Sequence, residues 1–133
     1  MKNTLMLVCL FTAISCSKND DITKTFNGDL PIVSTTTPVS IIAGQDIVIN
    51  IRCELGSVSG NVYFKGFDIK ATGDKKFNIS ARAFYKDWNA QVTMPVLWTL
   101  DTTASIKPTT AGKYILNFYN SGKLFKSDTV QVN

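Results

Sequence analysis

From Leu30 onward the chain alternates apolar and polar residues with a period of two. The clearest stretch is 46–54. Ile47, Ile49, Ile51 and Cys53 share one face, and Val48, Asn50, Arg52 and Glu54 share the other. Successive side chains of a strand point to opposite faces, so this pattern predicts a half-buried strand. The same pattern predicts strands over 62–70, with a bulge at Gly66, and over 77–84. It predicts others over 92–100, interrupted at Pro95, over 114–118 and over 124–132. Residues 30–42 are rich in β-branched side chains but carry Pro31 and Pro38. Proline cannot donate to a ladder, so this segment reads as an edge strand in two pieces. Turn signals lie between the strands, at Ala43-Gly44, Thr72-Gly73-Asp74 and Asn120-Ser121-Gly122 among others. About seven short strands with no helical period predict an all-β sandwich or barrel.

The first 29 residues follow another pattern. Lys2 precedes a mostly apolar run over 5–14, too short for a permanent span of about 20 residues. A charged start, a short apolar core and small residues before a cut mark a secretory signal peptide. Ala13-Ile14-Ser15-Cys16 resembles the lipobox of bacterial lipoproteins, with alanine where leucine is usual. That resemblance implies diacylglycerol on the Cys16 sulfur, cleavage before it and, usually, acylation of the new amino group. Two or more acyl chains anchor stably, at about 0.8 kcal/mol per buried CH₂. Ser17-Lys18-Asn19-Asp20-Asp21 resembles the export signal of Bacteroidota surface lipoproteins, with Asn19 at a commonly acidic position. It implies an outer-membrane protein displayed on the cell surface. The chain then divides into a leader (1–15), a lipidated cysteine with a flexible tether (16–29) and a folded domain (30–133).

Composition removes several function classes. The net charge is +4, with lysines spread along the chain and only Lys75-Lys76 adjacent. No aromatic–basic motif accompanies them, and an envelope protein meets little nucleic acid, so none is expected as a partner. There is no histidine, hence no Ser-His-Asp or Cys-His arrangement. With Cys9 in the leader and Cys16 lipidated, Cys53 is left without an internal partner, on a core face, where a thiol acts as a small hydrophobe. A zinc site lacks ligands, and no phosphate or calcium loop is present. Glu54 is the only glutamate, and the aspartates are scattered. The expectation is a non-enzyme with no cofactor and no metal.

The segment 106–116, Ile106-Lys107-Pro108-Thr109-Thr110-Ala111-Gly112-Lys113-Tyr114-Ile115-Leu116, resembles the E–F corner of immunoglobulin-like domains. Tyr114 takes the place of the corner tyrosine and Leu116 that of the second core cysteine, with Cys53 at the first. Thr110 stands where an acidic residue is usual, and Tyr63 and Phe64 replace the strand C tryptophan. The resemblance implies an immunoglobulin-like antiparallel β-sandwich of about seven strands, and it carries no binding or catalytic residues with it.

In such a sandwich the loops at 56–61, 86–89 and 120–122 share one end. Trp88, flanked by Asp87 and Asn89 with Tyr119 nearby, is then a candidate ligand site. Trp88 either offers its ring to a sugar or protein, or folds back to cap the core; the sequence leaves both open. Trp98 lies on an apolar stripe and reads as core. Two readings of function stand: a surface binding or adhesion module for glycan or protein, and a periplasm-facing inhibitor or accessory subunit of an envelope enzyme or complex. A structural subunit assembled by strand exchange at the Pro31/Pro38 edge is a third. The tether enters at the same end as the three loops, which puts Trp88 on the membrane side.

Overall fold

The structure, a computed structural model, describes residues 24–58, 60–87 and 96–133. These form nine strands: β1 (Lys24–Leu30), β2 (Ile32–Thr36), β3 (Ser40–Ile41), β4 (Ile47–Val58), β5 (Gly60–Gly73), β6 (Lys76–Asp87), β7 (Val96–Ile106), β8 (Gly112–Asn120) and β9 (Lys123–Val132). They make a β-sandwich. One sheet has three strands in the order β2-β4-β7; the other has six, β1-β6-β8-β9-β3 with β5 on the far side of β6. The count exceeds seven because the proline-broken segment yields two short pieces and because β1 was expected as tether.

The alternation seen in the sequence builds the core. Ile47, Ile49, Ile51 and Cys53 of β4 face Leu116, Phe118, Val130 and Val132 of the opposite sheet within one buried cluster. Trp98 packs partly buried against that cluster. Burial pushes the Cys53 thiol up to about 11 from its ordinary 9.0, and a thiolate, not a thiol, is the nucleophile. A disulfide-forming aromatic reagent at pH 8 is therefore expected to label Cys53 only after denaturant is added. Labelling of the native chain within minutes would show the thiol accessible. The raised value also makes stability pH-dependent. The unfolded thiol ionises first, so this contribution is whole below pH 9 and is lost as pH rises toward 11.

Three local expectations hold. Gly66 has φ 106° at a register shift between Phe64 and Gly66. Ser121 and Gly122 both have positive φ, 48° and 78°, closing β8 and β9 with a two-residue turn of the I′ kind. The Tyr114 hydroxyl donates to the Thr110 carbonyl at 2.9 Å and accepts from the Thr110 N–H at 3.3 Å, which pins the β7–β8 crossover.

Two expectations are corrected. Residues 24–29, read as tether, belong to β1, which pairs with β6 from Lys24↔Asp87 to Leu30↔Ala81. The reason lies at the other partner of that β6 edge. β8 covers only residues 76–79 of β6, and the open backbone groups beyond would otherwise go unpaired. β1 takes the remainder, with Leu30 fully buried and the Tyr85 hydroxyl donating to the Asp29 carbonyl at 2.8 Å. The second correction concerns strand direction: β6 runs parallel to β8, and β3 parallel to β9, within an otherwise antiparallel fold. The β6–β8 connection reaches across to the other sheet through β7.

Candidate functional site

Two strands thus share one edge of β6, end to end. Where β1 stops and β8 stops, the sheet has a seam, and the outer face of the sheet is dished there. This cleft, about 270 Å³, is lined by Asp29 from β1, Asp68 and Lys70 from β5, Asn78, Ser80 and Arg82 from β6, and Tyr119 of β8, with Gly122 at the rim. Period-two alternation places them. Ile79, Ala81 and Ala83 of β6 are buried, so Asn78, Ser80 and Arg82 point outward.

The cleft's charges are matched inside it. The Arg82 guanidinium donates to the Asp29 carboxylate, and Lys70 Nζ lies 3.1 Å from Asp68. Beside them the Asn117 amide donates to Asn78 Oδ1 at 3.2 Å, and the Ser127 hydroxyl donates to Asn117 Oδ1 at 2.6 Å. The result is a bed of fixed donors and acceptors on neighbouring strands, about 4.8 Å apart, with one tyrosine ring at its edge. Such a surface suits a ligand rich in hydroxyls.

Farther along the same face stands a second aromatic feature. Tyr63 of β5 is 47 % exposed and rests against Phe84, with ring centroids 6.0 Å apart. The Asn61 amide donates to the Tyr63 hydroxyl at 3.2 Å, and Lys65 Nζ sits 5.7 Å from the centre of the Phe84 ring. The sequence carries the signal, since Asn61, Tyr63 and Lys65 occupy alternate positions, but it does not say which alternation faces out.

Of the expected site residues the structure describes Asp87 and Tyr119, and it holds these two apart. Asp87 ends β6 opposite both Lys24 and Gly60. Tyr119 follows Phe118, which pairs with Ile79, so it lies level with Ser80, seven residues or ~23 Å from Asp87. Trp88 and Asn89 lie outside the described residues. The described chain begins at the pole formed by Lys24, Val58, Gly60, Asp87 and Val96, and the 120–122 turn stops short of it.

The three-stranded sheet has its own outer hollow, about 350 Å³, lined by Ser34, Thr36, Asn50, Arg52, Asp101 and Thr103. It is larger but has no aromatic ring, and Arg52 is engaged by Glu54 at 2.9 Å and Asp101 at 3.6 Å. Among the described residues no three His, Cys, Asp or Glu side chains converge as metal ligands. No protein-family model, curated protein or solved structure matches the chain.

Proposed function

We propose that this chain is a non-catalytic, lipid-anchored module of the outer-membrane surface that binds glycan on the outer face of its six-stranded sheet. The seam cleft carries the reading: Tyr119 and a set of pre-fixed polar groups line a dish open to solvent. Each cleft carboxylate is already committed to a cation, Asp29 to Arg82 and Asp68 to Lys70. That suits recognition better than acid–base chemistry, which needs a carboxyl free to trade protons with the substrate. The anchor rests on the Ala13-Ile14-Ser15-Cys16 motif. The membrane and a glycan are then the partners, and neither metal nor cofactor is required.

Two measurements test it. Cells fed labelled palmitate should yield a labelled chain, and Cys16→Ser should carry no label; a labelled Cys16→Ser variant would refute the anchor. The full chain in zwitterionic detergent should bind on a glycan array. Tyr119→Ala should weaken that binding about tenfold, the loss of one stacking contact of ~1.4 kcal/mol. A silent array would refute the glycan reading.

A further inference from the structure

The cleft and the Tyr63 ring lie on one continuous surface. Outward residues run in rows across the strands. Tyr63 stands opposite Phe84, and Asp29 opposite Arg82, while Asp68 lies opposite Ser80 and Lys70 opposite Asn78. From the Tyr63–Phe84 row to the Ser80 row is four residues of β6, or ~13 Å. That is more than a single sugar ring covers.

Tyr63 is also held in readiness. Asn61 fixes its hydroxyl, and the Phe84 ring, tilted at 43°, supports its side. An aromatic ring kept exposed and oriented before binding loses little freedom when a ligand stacks on it. Between the two aromatic features the charges cancel in pairs, Arg82 with Asp29 and Lys70 with Asp68. Inside the cleft an anionic ligand would have to break those pairs to gain a counter-charge, and Lys65, a platform cation outside them, sits beside the Phe84 ring. A hydroxyl-rich neutral ligand can accept from the cations and donate to the carboxylates while both pairs stay intact. Of the other large exposed apolar residues, Val33, Val48 and Leu97 belong to the three-stranded sheet, Val39 and Ile42 lie outside the strands, and Leu124 and Phe125 belong to β9, where Leu124 stands opposite Tyr119 at the cleft end of the platform. Between Tyr63 and Tyr119 the described residues of the platform are the charged and polar groups of the cleft, not the apolar centre on which protein interfaces concentrate their affinity.

Resting on the glycan reading above, we infer that the ligand is an uncharged oligosaccharide of several rings laid along β6, one ring on Tyr63 and another in the seam cleft beside Tyr119. Titration calorimetry on the full chain in zwitterionic detergent tests this. The probes are neutral β- and α-linked glucose, xylose and mannose oligomers of two and six rings, with polygalacturonate and heparin as anionic counterparts. A neutral six-ring oligomer should bind, with affinity changing less than about twofold between low and physiological salt, because no ion pair forms with it. Tyr63→Ala should weaken the six-ring ligand about tenfold while leaving its two-ring form within about twofold. Tyr119→Ala should weaken both. Preference for the anionic polymers with steep salt dependence, or equal losses at both lengths in Tyr63→Ala, would overturn the inference while leaving glycan binding in place. Failure to bind any of these probes or any array glycan would overturn both. Unchanged melting of the two variants keeps folding out of the comparison.

Discussion

Leu30→Ala is expected to cost about 2–5 kcal/mol of stability, the range for emptying a fully buried leucine site. Leu30 is fully buried at the last rung of the β1–β6 ladder, opposite Ala81, inside the main core cluster. At 30 the chain leaves one sheet, and at Ile32 it joins the other, so Leu30 and Ile32 pin the crossover from both sides. Chemical denaturation of the purified chain measures the loss as a lower midpoint with an unchanged slope. A change below about 0.5 kcal/mol would mean that β1 is not docked and that the domain begins later.

Asn120→Ala is expected to be comparably severe, about 2–4 kcal/mol. The Asn120 side chain behaves as a piece of strand. Its Oδ1 accepts from the Ile32 N–H at 2.8 Å, and its Nδ2 donates to the Ile32 carbonyl at 2.9 Å. Ile32 sits at a register shift in the β2–β4 ladder and is 1 % exposed. Alanine would leave both backbone groups without a partner, at about 1–3 kcal/mol each. Asn120→Asp separates the two bonds, since it keeps an acceptor for the N–H but loses the donor to the carbonyl. It should fall between alanine and the native chain in a thermal melt. Equal melting of all three chains would show the clamp idle.

Much of the sandwich was legible because burial is one-sided. β4 declares itself by Ile47, Ile49, Ile51 and Cys53, and the I′ turn by Ser121-Gly122. The corner around Tyr114 was legible from a local run of residues, since its hydrogen bond spans only four positions. β1 was not legible. Its inward positions include Gly28, whose missing side chain leaves room for the Tyr85 ring, so the expected apolar signal is absent there. The parallel meeting of β6 and β8 leaves no local mark either, because it joins residues 39 apart. The seam cleft arises from these two features together, which is why only Tyr119 of its lining was anticipated. Asp29, Asp68, Lys70 and Arg82 read in sequence as ordinary surface charges; the cross-strand pair of Asp29 with Arg82, set beside the Asp68–Lys70 pair of β5, is what makes them a site.

The way β1 is attached has a mechanical consequence. Any force applied to the chain before Lys24 enters the domain through this strand. β1 lies along β6 in seven consecutive pairings, with its first residue at the pole where the chain enters. A pull directed outward from that pole acts along the ladder, so it loads all seven rungs in shear instead of peeling them one by one. Resistance to such a pull would be shared among the rungs, with Leu30 at the far end as the last grip before the load reaches the core.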